Sequence, residues 1–415
     1  MNDISQQHQA GGDRVAGSVT HASAVFIRRC AMQRSNFFAL AIIISAVMLI
    51  GGMPFWASAA ESVVIGAINP LTGTNSVQGR DMKRGEELAL DEINAAGGIN
   101  GRSLKIIWED TKSNADQGMK AVRKLVEEDK VPLIIGAYSS GVSLPTGQWT
   151  NSKRVIQISV ASTAPELRQI GPYFFNVIGL DEVMGIKLAE FALESDAQTY
   201  ASLVVDNPFG LGIETWTEKT IKKADRQWIE ALSYKENLDD YKPVVKNLFT
   251  MKPEVVFLTA YGTDAKLILE QAHKMGLKPS KGWYADYMTM WFHDVVPETA
   301  EGIKGLVVGR HGGARFKHYQ EAYWKKFGAA YQKMYQRPVM QTAFGAYAYD
   351  ATWIAALALK LAGSTNTDEI AKALHKVSKE YDGVTGDKSF DQDGMQVIEY
   401  YQRMVYQDGR LVPYK

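Results

Sequence analysis

The chain has 415 residues, 46% of them hydrophobic and 22% charged, enough for two cored domains and too mixed for a disordered polymer. Lysine plus arginine and aspartate plus glutamate balance at 46 each, so the charge excess that drives binding to nucleic acid or to an anionic membrane is absent.

Residues 1–60 read as a leader outside the folded body. Arg28, Arg29 and Arg34 precede the apolar run FFALAIIISAVMLI, and Ala57 and Ala59 in WASAAES carry the small-residue spacing of a signal-peptidase site, which places cleavage near Ala59 or Ala60. A membrane anchor is the alternative, since the run through Trp56 approaches the roughly 20 residues that span a bilayer. The break at GGMP and the cleavage pattern favour a signal peptide. Met32 opens a compact signal of its own, so Met1 and Met32 are both candidate starts. Cys30, the only cysteine, precedes the apolar run, and the processed chain therefore has no thiol. Disulfides, thiolate zinc sites and a cysteine nucleophile are excluded, and export points to the periplasm.

From Glu61 onward, short β-rich runs alternate with stretches of helical period. The strands are expected at Val63 to Ile68, Leu104 to Trp108, Leu133 to Ala137, Val155 to Val160, Ala201 to Asp206, Val255 to Thr259 and Gly305 to Gly309. After the first strand comes PLTGTNSVQG, which fails as a phosphate loop because Gly79 is followed by Arg80-Asp81 instead of Lys-Ser/Thr. The helix that follows stops at Gly97-Gly98, and Asn100-Gly101 turns the chain into the second strand. Spacings of three and four at Met119, Val122, Leu125 and Val126, and again at Leu267, Ile268, Gln271, Ala272 and Met275, mark crossover helices on mostly parallel sheets. One group of units ends near GPYFFNVIG and a second opens with a helix from Asp181 to Glu194. The expected architecture is α/β: two doubly wound parallel-sheet lobes with a ligand cleft between them, its loops at the carboxyl ends of the strands.

No G-x-S-x-G, H-E-x-x-H, kinase or deaminase signature is present. His273, His293, His311, His318 and His375 are scattered without metal-ligand neighbours at helical spacing, and His273 falls off the apolar stripe of its helix. FDQDGM, around Asp391 and Asp393, lacks the acids that complete a calcium loop and reads as a turn. The chain is expected to be neither an enzyme nor a cofactor or metal protein.

The four post-strand loops YSSG, ASTAPE, NPFG and YGTD are chemically alike, each pairing small hydroxyl or glycine positions with an aromatic residue or an acid close by. Ser139, Ser140, Ser162 and Thr163 can cap helices and leave nearby N–H and hydroxyl groups for a carboxylate. Tyr138, Phe209, Tyr261, Tyr284, Tyr287 and Trp291 supply flat apolar walls on or near the same rims, a composition typical of concave ligand sites.

In this order, VVIGAINPLTG…QG, ALDEINAAGGINGRSLKIIWED, PLIIGAYSS, ISVASTAPEL, FFNVIGLDE and VVDNPFGLG resemble the type I periplasmic solute-binding proteins of ABC importers, in the branched-chain amino-acid-binding group. The resemblance runs from Ser62 to about Arg410. It implies three crossovers, near Gly179, Val308 and Gly386, with residues 61–178 plus 309–386 in one lobe and 179–308 plus 387–415 in the other. It further implies that Ser140, Ala161 and Thr163 hold the ligand carboxylate, and that Phe209 and Tyr261 line the second lobe. Gln78 stands where the family has an aromatic residue. The region of the family's ammonium-binding glutamate reads WYADYMTMW here, where Asp286 is the nearest acid; Asp206 and Asp264 are reserves.

The function so implied is ligand capture by lobe closure and delivery to an ABC permease in the inner membrane, by a monomer. The ligand is a small carboxylate, a branched-chain or related amino acid. An extracytoplasmic sensor of the same fold is the alternative; with no transmembrane or kinase segment after Lys415, it would act through a separate partner. A binder of an amine-free aromatic acid or an amide is another. Expressed with its own leader in a Gram-negative host, the protein is expected in the soluble periplasmic fraction with a new N-terminus near Ala60 or Glu61. N-terminal sequencing checks this, and full-length chain in washed membranes would favour the anchor.

Overall fold

The computed structural model of the protein describes residues 61–290, 297–308, 314–335, 343–397 and 399–415. The expected leader, Cys30, Trp291, His293, Gly309 and His311 lie outside the described residues.

Two sheets organise the chain. The first has strand order β2-β1-β3-β4-β5, from β1 (Val63–Asn69), β2 (Leu104–Asp110), β3 (Leu133–Ile135), β4 (Ile156–Ser159) and β5 (Phe174–Asn176), all parallel. The second has order β14-β13-β10-β9-β8-β6-β7, from β6 (Thr199–Val205), β7 (Gln227–Tyr234), β8 (Val255–Thr259), β9 (Gly282–Ala285), β10 (Lys304–Val308), β13 (Tyr401–Gln407) and β14 (Arg410–Pro413). It is parallel from β7 to β10, and β13 and β14 join it antiparallel. A small ribbon, β11 (Asp382–Gly383) and β12 (Gly386–Asp387), stands apart from both.

Central strands such as LII and VVFLT are buried at every position because helices cover both faces of a parallel sheet. The seven expected strands are β1, β2, β3, β4, β6, β8 and β10. Sequence patterning misses β5 and β9, which are only three and four residues long. It also misses β7, β13 and β14, whose positions are mostly half-buried or exposed. Partly exposed strands like these carry too few apolar residues for a periodic signal.

The chain passes between the lobes three times. After β5 it enters the helix Asp181–Leu193, which packs on β9 and β10. After β10 it returns, and the helix Ala343–Ala362 lies against the first lobe's helix Ser76–Ala95 and strands β3 and β4. After β12 it crosses again to supply β13 and β14 to the second sheet. The helix pair 76–95 and 343–362 approaches so closely that a Cβ on Gly85 would stand 1.9 Å from the Gly345 carbonyl oxygen. Gly79 plays the same part at the rim loop, where a Cβ would meet the Pro70 carbonyl oxygen at 2.2 Å. That glycine lets PLTGTNSVQG fold back over its own helix. Asp110 holds the loop from below, its carboxylate accepting from the N–H groups of Leu71 and Thr72 and from the Thr72 hydroxyl at 2.6 Å.

Two acids are buried on the helix Ser76–Ala95. Asp81 accepts the Tyr323 hydroxyl at 2.6 Å, which ties in the helix Ala314–Tyr335, and burial pushes its carboxyl up to about 6. Glu86, fully buried, accepts from Asn69 Nδ2 at 2.9 and 3.1 Å and from Trp108 Nε1 at 2.6 Å. Burial pushes its carboxyl up to about 7. A carboxyl raised on folding binds protons more tightly in the native chain, so its contribution to stability is complete below the unfolded pKa and is lost as pH rises through 7. Glu86→Gln is expected to flatten the decline in stability between pH 5 and 8 by about 2 to 3 kcal/mol. Urea unfolding of both chains across that range measures it, and parallel pH profiles would refute it.

Candidate functional site

The loops after β3 and β4 lie side by side, and hydroxyl groups stitch them together. Ser139 is the N-cap residue of the helix Ser140–Ser152, with extended backbone and no side-chain cap bond; it is half-buried. Ser140 Oγ accepts the N–H groups of both Thr163 and Ala164 at 3.1 Å. Ser162 Oγ pairs with Ser143 Oγ at 2.7 Å, and Ser143 Oγ accepts the Ala137 N–H at 3.2 Å. The four hydroxyls thus divide by task. Ser140 and Ser162 bind loop to loop, while Ser139 and Thr163 are left over. Thr163 Oγ1 is buried without a hydrogen-bond partner. At the start of the helix Ser140–Ser152 the Val142 and Ser143 N–H groups donate to the Ser139 carbonyl at 3.0 and 2.9 Å, which leaves those of Ser140 and Gly141 at the positive end of its dipole. Donors of this kind at a helix start are chemically suited to an anion.

Aromatic side chains from both lobes close over it. Tyr138 meets Tyr261 at 5.9 Å between ring centroids and stands edge-on to Phe344 at 5.2 Å. Phe209 stacks on Tyr261 at 5.4 Å, and Tyr287 lies 6.2 Å from Phe344. Two of these rings make polar contacts across the cleft: the Tyr287 hydroxyl donates to the Ala161 carbonyl at 3.1 Å, and the Tyr138 hydroxyl reaches Met288 Sδ at 3.1 Å. All of these rings are almost fully buried, so the cleft is closed. Gln78 is buried in the first turn of its own helix, its side-chain carbonyl without a hydrogen-bond partner. Tyr284 does not join the wall; it stands in β9 and packs edge-on against Phe191 inside the second lobe.

The acids also divide. Asp286 is fully buried and caps the short helix Tyr287–Met290, accepting the Met288 N–H at 2.7 Å, the Thr289 N–H at 3.3 Å and the Thr289 hydroxyl at 2.6 Å. Burial pushes its carboxyl up to about 7 against those bonds. Asp206 pairs with Lys235 at 2.5 Å, and Asp264 faces Asn237 and Tyr241, so neither reserve is free for the cleft. Asp181, which the sequence shows only as a helix start, is fully buried with no hydrogen-bond partner on either oxygen. Burial, followed by the negative charges of Asp286, Glu166 and Glu182, drives its carboxyl well above the usual range, with the nearby Thr163 hydroxyl acting the other way. Phe344 was equally invisible, because nothing in its local pattern tells that a helix late in the chain returns to the first lobe.

The turn around Asp391 and Asp393 holds the Arg168 guanidinium, with Asp393 at 3.3 Å. His273 is exposed, His318 pairs with Glu92, and His375 packs against Phe175. Among the described residues no group of three metal-binding side chains occurs, and no helix is long and apolar enough to cross a membrane.

A family profile described as periplasmic binding protein matches residues 62–410. Among similar proteins, Leu/Ile/Val-binding protein homolog 1 of Brucella melitensis is 27% identical, over 88% of this chain and 96% of its own length. A leucine-, isoleucine-, valine-, threonine- and alanine-binding protein of Pseudomonas aeruginosa is 25% identical, over 84% and 91%. Among solved structures, the branched-chain amino acid transporter substrate binding protein LivJ of Streptococcus pneumoniae, in complex with isoleucine, superposes with a TM-score of 0.73 at 24% identity, covering 84% of this chain and 97% of that one.

Because Ser140 satisfies two buried N–H groups, Ser140→Ala is expected to destabilise the ligand-free protein by about 1 to 3 kcal/mol, whereas Ser139→Ala changes stability by less than about 0.5 kcal/mol. Chemical unfolding of the two variants measures the contrast, and equal stabilities would show that the stitch between the loops contributes nothing.

Proposed function

The chain belongs to the periplasmic binding protein family, and on that premise we propose that it is the solute-binding component of an ABC uptake system. It captures a small carboxylate-bearing ligand, a branched-chain or related amino acid, and delivers it to a permease in the inner membrane. The protein acts in the periplasm as a monomer after cleavage near Ala59 or Ala60. Its lobes comprise residues 61–178 with 309–386, and 179–308 with 387–415.

One observation carries the reading. At the start of the helix Ser140–Ser152, the backbone N–H groups of Ser140 and Gly141 and the Thr163 hydroxyl lie on the same closed cleft as the rings of Tyr138, Phe209, Tyr261 and Tyr287. The ligand carboxylate sits on the polar side, held by N–H groups around Ser139 and Ser140, by the backbone at Ala161 and Ser162, and by the Thr163 hydroxyl. The aromatic wall receives its apolar body, with Gln78 at the opening rim and Asp286 on the second-lobe side. No bond is made or broken. Ligand favours the closed form because only there do groups of both lobes touch it, and the population shifts by its preference for that form.

Leucine, isoleucine and valine are the first ligands to test on the processed protein. A ligand at a hundredfold excess over its dissociation constant should stabilise it by about 2.7 kcal/mol, seen as a thermal shift. Thr163→Val should weaken binding by about 1 to 3 kcal/mol with little effect on unfolding of the free protein. Solution scattering should show a smaller radius of gyration on saturation. Unchanged binding in Thr163→Val would move the carboxylate elsewhere, and an unchanged scattering curve with tight binding would rule out delivery by closure.

A further inference from the structure

One carboxylate touches the chain at each of its three passages between the lobes. Glu399, at the end of the third, accepts the N–H of Gly179, on the first, at 2.9 Å. Its other oxygen accepts the Tyr347 hydroxyl at 2.8 Å, from the helix Ala343–Ala362 that follows the second, and the N–H of its neighbour Tyr400 at 3.1 Å. A side chain at position 179 would break this approach, since a Cβ there would stand 2.9 Å from Glu399 Cβ and 3.2 Å from the Tyr401 hydroxyl. The first and third passages also run side by side: the Asn176 N–H donates to the Gly394 carbonyl at 2.9 Å, and the Gln396 N–H to the Asn176 carbonyl at 3.1 Å. Against Tyr347 lies a buried lysine. Among the described residues Lys388 forms no ion pair, and its ammonium stands 4.3 Å from the centroid of the Tyr347 ring. Burial pulls that ammonium below its ordinary range, and the charges of Glu399, Asp350 and Asp387 resist the shift. Asp350 is committed elsewhere, accepting the Tyr381 hydroxyl at 2.9 Å, the N–H groups of Val384 and Thr385 at 2.8 and 3.0 Å, and the Thr385 hydroxyl at 2.6 Å. Asp387 accepts the Tyr400 hydroxyl at 2.7 Å. Glu399 is the acid of the three that reaches the first passage.

We propose that Glu399 and Lys388 form a two-position hinge latch, in which the carboxylate holds the Gly179 N–H while the lobes are closed and the Lys388 ammonium when they open. The inference rests on lobe closure as read above and not on which ligand drives it. A ring face offsets only part of the cost of burying an ammonium, and a carboxylate offsets more. Rotation of the lobes draws Gly179 away from Glu399 and leaves the carboxylate short of a donor beside a buried cation that lacks an ion pair. Turning from one to the other keeps the carboxylate satisfied in both forms. Neither form is then favoured outright, and a ligand's preference for the closed one decides between them. Lys388 stays with the first lobe through its packing on Tyr347, so the exchange needs only a side-chain movement of Glu399.

The test measures the open and closed populations of the processed protein without ligand. The sequence has no cysteine beyond Cys30, in the expected leader, so Lys120→Cys and Lys223→Cys, at exposed positions on a helix of each lobe, carry a unique pair of spin labels whose separation reports closure. Lys388→Met removes the partner of the open form and should raise the closed population by about fivefold or more, within the usual range for a coupled charged pair. Gly179→Ala pushes Glu399 off the closed position and should lower that population. Combined with Glu399→Gln, Lys388→Met should change it by less than about twofold, because the charge it answers is gone. Urea unfolding confirms that each variant is folded, and Lys388→Gln replaces Lys388→Met should the latter fold poorly. A closed population that neither substitution of Lys388 raises, or that rises equally with and without Glu399→Gln, overturns the latch. Because no ligand is added, the outcome is independent of the amino-acid reading, which stands or falls on the leucine, isoleucine and valine titrations.

Discussion

When the two lobes meet, the polar groups on their facing loops leave water, and each must find a partner inside the cleft or carry the free-energy cost of going without. Most find one within the protein. Ser140 takes two backbone N–H groups, Ser162 pairs with Ser143, Tyr287 reaches the Ala161 carbonyl across the cleft, and Asp286 collects three donors from its own turn. Among the described residues, the Thr163 hydroxyl, the carboxylate of Asp181 and the side-chain carbonyl of Gln78 are buried without one. Native proteins rarely leave buried polar groups unpaired, so these three call for an explanation, and the proposed ligand supplies one. Here the hydroxyl lies beside the helix start, where the Ser140 and Gly141 N–H groups are left over, and the carboxylate lies in the second lobe. The pattern suits a ligand that is negative at one end and positive at the other.

The scaffold makes this closure possible by keeping each lobe rigid. The central strands of both sheets are covered by helices on both faces, so they have no polar side to present and their carboxyl ends are the natural place for irregular loops. The first lobe is reinforced where helices from distant parts of the chain meet. Gly85 and Gly345 allow backbone-to-backbone approach, and Asp81 and Glu86 bond Tyr323, Asn69 and Trp108 from inside that layer. Between the lobes the chain runs as three separate crossings. Glu399, on the last, joins them by accepting the Gly179 N–H at 2.9 Å and the Tyr347 hydroxyl at 2.8 Å. Motion can then concentrate in the crossings while the cradle and the wall keep their shapes.

Much of this was legible along the chain, because the signals are local. A buried parallel strand is an unbroken apolar run, its helix shows a spacing of three and four, and glycine marks the stops: Gly97 and Gly98 do take the positive φ values of 95° and 68° that end the first helix. The loops YSSG and ASTAPE announced themselves as hydroxyl-rich turns after apolar strands, and the structure brings them together. What the pattern left out is short or partly exposed. β5 and β9 are too brief to show a period, and β7, β13 and β14 share a face with solvent.

The amino-acid sequence by itself determined the class of fold, the order of its units and the loops from which a site would be built, since periodicity and turn chemistry are properties of neighbouring residues. Only the tertiary structure decided which members of those loops are free. Ser140 and Thr163 look equivalent in the sequence, yet one hydroxyl is engaged by backbone N–H groups and the other is not. Asp286 was the candidate acid for the ligand's ammonium and is a helix cap, whereas Asp181 looked like a helix start and is buried with no hydrogen-bond partner on either oxygen. Phe344 entered the wall, and Tyr284 turned into the second lobe's core. The physical reason is common to all of these: burial and hydrogen-bond partnership are set by residues far away in the chain, and no local pattern carries them.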